Sequence, residues 1–319
     1  MTTTVPEIFL DTLACPCCQA TGLLIETEIL RCQACQTVFP LVDGHPILID
    51  ERSSAFRIDD FVARQVTTMD LDRERHNGWL ATLKKTISQN LPNTSYSAID
   101  ISLTEVLQLI NSEYAAARIL VIGAGDQTLP LTGQQSVLYT DVAIGSLTHL
   151  VCDAHALPLL ANSFDAVIAC AVFEHVADPY CCVAEVYRVL KPNGYLFAIT
   201  PFMQQVHMGR YDFTRFTHLG HRRLFRQFRE ERSGVANGPA MVLAWSFERF
   251  LAGFANNKCL YSKLRILARL LAFPVKYLDY FLARRAAAYD SASAFYFLGR
   301  KSEITLSDRE LIRLYRGIG

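Results

Sequence analysis

The stretch RILVIGAG at residues 118–125 decides the fold of this chain. Residues 119–122 are an unbroken run of β-branched residues and leucine, which is typical of a parallel strand buried on both faces. Gly123 and Gly125 follow at once, and glycine allows a tight backbone turn and a close approach to a ligand. A strand that ends in such a loop predicts an α/β sheet with a ligand site at its carboxyl edge.

Further predicted strands also end in residues suited to a ligand site. Asp141 ends the apolar run at 137–140, where a carboxylate can accept hydrogen bonds from a ribose diol. Asp153 and Ala154 follow a third apolar stretch, and Cys170 ends a fourth. Because the carboxyl ends of parallel strands meet at one edge of a sheet, we expect these residues to surround a single crevice.

The series continues beyond the fourth strand. Glu-His-Val at residues 174–176 follows that strand after three residues. A helix is then predicted at 180–190, a fifth strand at 195–200 and a final strand at 295–299. The alternation of strands and helices supports the α/β class.

The charge of the glycine loop distinguishes between two adenosine cofactors. A nicotinamide dinucleotide would fit the glycines and Asp141 as well as S-adenosylmethionine (SAM) would. Asp126 lies in the loop, and its carboxylate would repel a pyrophosphate. The ammonium and sulfonium charges of SAM tolerate that carboxylate, so the loop favours SAM.

Together these segments resemble the class I SAM-dependent methyltransferases over about residues 116–200. The resemblance implies a Rossmann-like, seven-stranded sheet with helices on both faces. It also implies that Asp153 faces the adenine amino group. The residues that it assigns to the SAM site are Gly123, Ala124, Gly125, Asp141, Asp153, Ala154 and Cys170.

Two positions depart from the usual pattern of that family. Val121 stands two residues before the first glycine, where an acid is usual, and Gln127 stands where a third glycine is usual. Both positions lie around the methionine end of the cofactor in the family. They motivate one alternative, a non-catalytic relative that stabilises another protein.

The amino-terminal cysteines have the spacing of a zinc site. Cys15 and Cys18 form one CxxC pair, Cys32 and Cys35 form a second, and thirteen residues separate the pairs. Two such pairs supply four thiolates to a tetrahedral zinc. Cys17 could compete with Cys18, but two intervening residues are needed to bring both sulfurs onto one metal. A redox role is disfavoured because neither pair opens a βαβ unit.

The residues around these cysteines, 13–49, resemble the small zinc-ribbon activators of RNA and protein methyltransferases. The resemblance implies a ribbon that helps to fold or clamp an enzyme. About 50 residues cannot build much of a core, so we expect the zinc to be structural.

The length of 319 residues predicts two unequal domains. We predict a zinc ribbon at 1–50, a helical linker and cap at 51–116, a methyltransferase domain with a carboxy-terminal helical insert at 117–300, and a tail at 301–319. Helical spacing within the linker is found at 79–87 and 103–110. Ten cysteines and an amino terminus without a basic, apolar leader predict a cytoplasmic location.

The charges are balanced overall but unevenly distributed. The chain has 31 basic and 31 acidic side chains, yet residues 1–50 carry a net charge of −5 and residues 201–319 a net charge of +11. An acidic ribbon is a poor surface for nucleic acid. The basic third of the chain suits an anionic partner.

Two basic segments raise the hypothesis of a weak, peripheral contact with an anionic membrane. One is the apolar and basic run at 261–278; the other is a predicted helix that carries Arg222, Arg223, Arg226 and Arg229 opposite Leu224, Phe225 and Phe228. The alternative is that these segments pack onto the sheet. The uncharged stretch at 233–247 is too short to span a bilayer, so no transmembrane segment is expected.

The acceptor side of the site is predicted in the segment that follows the fifth strand. Residues 200–202 lead into a segment that contains His207 and Asp212 and that resembles the part of some class I enzymes preceding a substrate-facing helix. Methyl transfer to a hydroxyl needs alignment and a base. We expect His207 to be the base, with His175 and Asp212 as alternatives.

These patterns predict a methyltransferase that moves a methyl group from SAM to an oxygen or nitrogen. The expected acceptor is a small or carrier-linked molecule, for which an anionic sugar or a natural-product intermediate is a candidate. An RNA base methyltransferase stays open, because the acidic ribbon argues against it and the basic third argues for it. The non-catalytic partner protein is the third hypothesis. SAM binding and salt-dependent RNA binding would separate the three.

Overall fold

The structure is a computed structural model that describes residues 3–64, 92–125, 128–131 and 133–319. The helix predicted at 79–87 lies outside the described residues, and so do Asp126 and Gln127.

Eleven strands form one continuous, mixed sheet in the described part of the chain. They are β1 (Leu23–Ile25), β2 (Ile29–Cys32), β3 (Val38–Val42), β4 (His45–Leu48), β5 (Arg118–Ile122), β6 (Ser136–Asp141), β7 (Leu150–Cys152), β8 (Phe164–Cys170), β9 (Leu190–Pro201), β10 (Phe228–Asn237) and β11 (Ala294–Lys301). Their spatial order is β1-β2-β3-β4-β7-β6-β5-β8-β9-β11-β10. Strands β4 to β9 along the centre pair in parallel, whereas β11 runs antiparallel between β9 and β10. The α/β class is confirmed.

The prediction of a seven-stranded sheet is wrong for the sheet as a whole. Strands β5 to β11 supply seven strands, and the amino-terminal segment supplies the other four. The two parts are joined where β4 pairs in parallel with β7, with Ile47 opposite Val151 and Leu48 opposite Cys152. An uncovered β7 would leave backbone N–H and C=O groups unpaired at the edge, and β4 satisfies them.

Eight α-helices are found in the described residues. They are α1 (Ile58–Val62), α2 (Leu103–Glu113), α3 (Pro179–Val189), α4 (His218–Leu224), α5 (Pro239–Ala252), α6 (Lys258–Ala272), α7 (Asp279–Leu282) and α8 (Asp308–Ile312). Helix α2 begins with a capping box formed by Ser102 and Glu105, and the Asp178 side chain caps α3. Such caps satisfy backbone N–H groups that the first helical turn leaves unpaired.

Strand β5 is buried on both faces, as its sequence predicts. Leu120 and Ile122 belong to one apolar cluster, which α3 and α4 cover. Ile119 and Val121 belong to the opposite cluster, which α2 covers. Helices therefore lie on both faces of the sheet.

The amino-terminal segment shares its apolar core with the sheet. Phe9, Leu30 and Phe39 are fully buried in the same cluster as Leu120 and Phe164. The Phe9 ring stacks on the Phe164 ring, with the centroids 5.8 Å apart. The segment is thus docked on the sheet by apolar packing as well as by the β4–β7 pairing.

The helix predicted to carry the four arginines is shorter than expected. Helix α4 ends at Leu224, and Phe228 already opens strand β10. Arg222 is buried, and it donates hydrogen bonds to the carbonyl oxygens of Phe225 (2.7 Å) and Phe228 (2.9 Å). The apolar spacing that predicts one long helix also fits a helix followed by a strand. The pairing of Phe228 and the residues after it with β11 selects the strand.

Helices α5, α6 and α7 form an insert between β10 and β11, at residues 239–290. In the described part of the chain, no helix combines the length and the hydropathy needed to cross a bilayer. The division into domains at residues 50, 116 and 300 stays a prediction.

Candidate active site

A cavity of about 740 Å³ opens at the carboxyl ends of β5, β6 and β8. All seven residues predicted for the SAM site line it: Gly123, Ala124, Gly125, Asp141, Asp153, Ala154 and Cys170. His175 and His207, predicted on the acceptor side, line the same cavity. One cavity therefore brings together the two halves of the predicted site.

The glycine loop needs its glycines for conformation and for space. Gly123 has a φ of 71° and Gly125 a φ of 49°, in the left-handed region that favours glycine. A Cβ on Gly123 would lie 2.7 Å from Cγ2 of Val172, which is closer than real contacts allow. The loop can therefore lie against the residues that follow β8 only because glycine is present.

Asp141 lies beside this loop at the end of β6. Its Oδ2 accepts a hydrogen bond from the backbone N–H of Gly125 at 3.1 Å. The carboxylate therefore helps to hold the loop while it faces the cavity. Its predicted bond to a ribose diol stays a prediction.

Asp153 is more strongly engaged than the sequence suggested. It is 4% exposed, and its carboxylate accepts hydrogen bonds from His155 Nδ1 at 2.6 Å and from the Ser54 hydroxyl at 2.5 Å. Burial alone would raise the pKa of Asp153, but these hydrogen bonds hold it below its ordinary value. His155 was not predicted as a site residue, although it follows Asp153 by two positions.

Cys170 ends β8 at the cavity wall. Its burial raises the pKa of the thiol to about 12, so the side chain is neutral at physiological pH. A neutral thiol suits contact with an adenosine or thioether better than it suits nucleophilic chemistry.

His175 and His207 face each other across the acceptor side of the cavity. Their ring centroids are 4.7 Å apart, with the planes at 76°. The His175 Nδ1 lies 2.8 Å from the Tyr211 carbonyl oxygen. The backbone N–H groups of Phe213 (2.8 Å) and Thr214 (3.2 Å) both donate to the carbonyl oxygen of Glu174. These bonds hold the 207–214 segment against the residues that follow β8.

Asp212, the third predicted catalytic residue, lies behind His207 and does not line the cavity. Its carboxylate accepts hydrogen bonds from the backbone N–H of His207 at 2.8 Å and from the Arg215 guanidinium. Burial would raise the pKa of Asp212, but Arg215 and the His207 N–H lower it to about 2. Asp212 is therefore placed to position His207, and it is the weakest base of the three.

Glu174 is the main residue that the sequence reasoning missed. Its side chain is 1% exposed, and its Oε1 lies 3.7 Å from His175 Nε2 and 3.9 Å from His207 Nε2. Within the described residues, its other oxygen, Oε2, has no hydrogen-bond partner. Burial raises the pKa of Glu174 to about 8. The signal was its place next to His175 after a buried strand.

The segment that follows β4 reaches the cavity as well. Ala55 and Phe56 line it, and the Phe56 ring stacks on Tyr211 with the centroids 5.9 Å apart. Ser54 donates to Asp153 in the same segment. The start of the predicted linker therefore contacts both the cofactor side and the acceptor side.

The four predicted zinc ligands lie together in the amino-terminal segment. One sulfur atom from each of Cys15, Cys18, Cys32 and Cys35 lies within 4.8 Å of the others. The Sγ atoms of Cys15 and Cys35 are 3.6 Å apart, as are those of Cys18 and Cys32. A tetrahedral zinc with bonds of about 2.3 Å needs sulfurs about 3.8 Å apart, so this donor set fits zinc. Cys17 is not part of the cluster.

The middle of the chain matches a known family. Residues 122–198 match the family model described as a methyltransferase domain. A C-methyltransferase of ubiquinone and menaquinone biosynthesis, UbiE from Desulfotalea psychrophila, is 50% identical over 44 residues, which are 14% of this chain and 18% of that protein. The chain thus matches less than a fifth of the curated relative. The prediction of a methyltransferase domain is confirmed for residues 122–198.

Solved structures resemble the chain at low identity. The [4+2]-cyclase SpnF is 14% identical with a TM-score of 0.40, and the similarity covers 70% of this chain and 93% of that one. A structure described as a putative sarcosine dimethylglycine methyltransferase from Galdieria sulphuraria is 13% identical with a TM-score of 0.41, covering 70% and 98%. The domain assignment depends on the family match and not on these structures.

Proposed function

We propose that this protein transfers a methyl group from SAM to an oxygen or nitrogen of a small-molecule or carrier-linked acceptor. The observation that carries the proposal is the single cavity in which the glycine loop, Asp141 and Asp153 lie opposite His175 and His207. SAM supplies an electrophilic methyl carbon, which is transferred by in-line displacement. The protein's own part is to align the two reactants and to remove the acceptor's proton.

The cofactor side is proposed to bind SAM through the glycine loop and two carboxylates. Asp141 is placed for the ribose diol and Asp153 for the adenine edge. Asp153 is held in place by Ser54 and His155, which reduces the reorganisation needed on binding. Cys170 and Ala154 line the same cavity.

The acceptor side is proposed to bind next to the two histidines. His207 remains our first candidate for the base, and His175 and Asp212 remain alternatives. Arg210 also lines the cavity, and its charge supports an anionic acceptor. An RNA base methyltransferase is less well supported, because residues 1–50 carry a net charge of −5.

Calorimetry with SAM and S-adenosylhomocysteine tests the proposal. Asp141→Ala is expected to weaken SAM binding roughly ten- to a hundredfold, because a hydrogen bond to a charged group contributes about 1.5–3 kcal/mol. Asp59→Ala, on the exposed surface of α1, is the matched control and should bind as wild type does. Absence of binding to the wild-type protein would favour the non-catalytic alternative.

The four cysteines are proposed to hold one structural zinc. The donor set and the sulfur separations support this assignment. A cytoplasmic location, proposed from the cysteine usage, agrees with thiolates that stay reduced.

A peripheral contact with anionic membrane is a second proposal, and the helical insert supports it. Eleven large apolar side chains of residues 239–290 are exposed: Leu243, Phe250, Phe254, Leu267, Leu270, Leu271, Tyr277, Leu278, Tyr280, Phe281 and Leu282. In α6 only Ala268 and Ala272 are buried, whereas Leu267, Leu270 and Leu271 share an exposed face at helical spacing. An apolar surface of this extent marks an interaction site.

The charges of the insert favour an anionic bilayer as the partner. Residues 239–290 hold eight basic side chains and three acidic ones. Two of the three acids are buried and engaged: Glu248 binds Arg265, and Asp279 accepts from the N–H groups that open α5. Apolar side chains with surrounding basic groups are typical of segments that lie in a membrane interface. If the protein fails to sediment with anionic vesicles at low salt, the membrane proposal is wrong.

A further inference from the structure

Three side chains converge on one point of the acceptor side without a hydrogen bond between them. They are Glu174, His175 and His207, and one ligand atom from each lies within 4.8 Å of the other two. The Glu174 Oε1 is 3.7 Å from His175 Nε2 and 3.9 Å from His207 Nε2. Three potential ligand atoms are therefore directed at the same small volume.

In each histidine, the contact made by Nδ1 shows that the lone pair on Nε2 is available to a ligand. His175 Nδ1 lies 2.8 Å from the Tyr211 carbonyl oxygen, which can only accept, so Nδ1 carries the proton. His207 Nδ1 lies 3.3 Å from the Gln205 carbonyl oxygen and 3.5 Å from the Asp212 carboxylate. Both Nε2 atoms are therefore lone-pair donors. Histidines that bind metals are oriented in this way, by a carbonyl or carboxylate on the other nitrogen.

Glu174 gives an independent indication of a missing partner. Its side chain is 1% exposed, yet its Oε2 makes no hydrogen bond in the part of the chain that the structure describes. Buried polar atoms are nearly always hydrogen-bonded, because leaving one unpaired is costly. A cation beside the carboxylate would satisfy it.

We propose that Glu174, His175 and His207 form a binding site for a first-row divalent cation such as Zn²⁺. Two imidazoles and one carboxylate are a ligand set of catalytic zinc sites, in which a fourth position stays open. With bonds of about 2.0–2.1 Å, tetrahedral ligands lie about 3.3 Å apart. The distances from Glu174 Oε1 to the two Nε2 atoms, 3.7 and 3.9 Å, exceed this by about half an ångström. The fourth position faces the cavity, because both histidines line it.

The cation site adds a means of activating the acceptor to the proposed function. It rests on that function only in naming the acceptor as the fourth ligand. An acceptor hydroxyl bound to the cation would have a lower pKa, so its proton would leave to water. The acceptor oxygen would then form its bond to the methyl carbon as the bond from that carbon to sulfur breaks. While the cation is bound, His207 Nε2 is a ligand and does not act as the base.

Titration with Co²⁺ tests the site on the full chain. The cysteine cluster is first filled with one equivalent of Zn²⁺ per chain, which goes to the four cysteines because thiolates favour zinc, and Co²⁺ does not readily displace that zinc. One further Co²⁺ per chain is expected, with a visible spectrum that lacks thiolate-to-cobalt charge transfer. Absence of a further Co²⁺, or a spectrum with thiolate bands, would overturn the proposal.

Two variants and one control assign the ligands. Glu174→Gln and His207→Gln are each expected to weaken Co²⁺ binding by at least about tenfold, while circular dichroism stays unchanged. His45→Gln, a half-buried histidine outside the cluster, should bind Co²⁺ as wild type does. Equal affinity in all three variants would overturn the proposal.

SAM calorimetry on the same proteins separates this inference from the proposed function. Co²⁺ binding without SAM binding would leave the metal site standing and remove the methyltransferase. SAM binding without Co²⁺ binding would remove the metal site and leave His207 as the proposed base.

Discussion

The amino-terminal segment adds four strands to one edge of the sheet, whereas the helical insert connects the two strands β11 and β10 at the opposite edge. The two additions differ in how far they bury their apolar side chains. Residues 1–50 are acidic, and their aromatic residues are buried in the core of the sheet. Residues 239–290 are basic, and eleven of their large apolar residues are exposed. The amino-terminal segment contributes to the core of the sheet, whereas the insert presents an exposed apolar surface. The predictions below test that difference, beginning with the largest effect.

Loss of the zinc site should destabilise the sheet as well as the ribbon. Because Cys32 belongs to the apolar cluster that contains Leu120 and Phe164, the ribbon and the sheet are expected to unfold in one transition. Cys32→Ser, or a chelator, should lower the free energy of unfolding by more than about 4 kcal/mol. Calorimetry and elemental analysis for zinc provide the measurements.

Cys259→Ser is the matched control for that variant. Cys259 is an exposed cysteine on α6, so its replacement should change stability by no more than about 0.5 kcal/mol and leave the zinc content unchanged. Two separate transitions in Cys32→Ser, with the larger at the wild-type temperature, would show that the ribbon folds independently.

A pair of phenylalanine substitutions compares the two additions directly. Phe39 in the ribbon is fully buried, and Phe39→Ala should cost about 3–5 kcal/mol. Phe254 in the insert is 69% exposed, and Phe254→Ala should change the stability by no more than about 0.5 kcal/mol. Denaturant unfolding measures both. Equal losses would contradict the distinction between a structural and a surface-forming addition.

Local patterns were sufficient for the parts of the molecule whose signals lie within one element. The buried run at 119–122 predicted β5, and the CxxC pairs predicted the cysteine cluster. Asp141 and Asp153 were found because they end strands, and parallel strands expose their ends at one edge.

The missed features all depend on contacts distant in sequence. Nothing in β4 indicates that Ile47 pairs with Val151, about a hundred residues later. The sequence does not show that Glu174 belongs to the site. Its role is apparent only because the fold buries its side chain beside His207, which lies 33 residues later, and leaves Oε2 without a hydrogen bond among the described residues. The arginine helix was predicted too long because Phe225 and Phe228 fit either a helix or a strand, and only the pairing with β11 selects the strand.

Acidification should weaken the edge of the sheet that carries the insert. Burial lowers the pKa of His218 to about 4 and that of His221 to about 3. Since both pKa values are depressed in the folded state, the unfolded chain binds more protons below pH 6.5. Stability is therefore complete above pH 6.5 and is lost as the pH falls toward 4. At pH 5.5 we expect a loss of about 1.4 kcal/mol for each histidine.

Comparison with a variant isolates this contribution from other titrating groups. The His218 ring packs on Tyr289 with the centroids 4.7 Å apart, and none of the described residues forms a hydrogen bond with its Nδ1, so His218→Phe should be tolerated. Denaturant unfolding at pH 7.5 and 5.5 should show a smaller pH-dependent loss in His218→Phe than in wild type. An identical loss would mean that His218 does not contribute.

The smallest expected effect concerns single charges on the insert. Lys258 and Lys263 are exposed on α6, near its exposed leucines, and a basic side chain at an anionic membrane contributes about 1 kcal/mol. Lys258→Ala and Lys263→Ala should each weaken binding to phosphatidylserine vesicles roughly fivefold at low salt, with little change in stability. Arg309→Ala, which replaces an exposed basic residue on α8 outside the insert, should bind as wild type does.

Phe254→Ala should also weaken vesicle binding, but with less dependence on salt, because it removes apolar area instead of charge. If Arg309→Ala weakens binding as much as the lysine variants do, the attraction comes from the overall charge of the carboxy-terminal third, and the insert is not the membrane-binding surface.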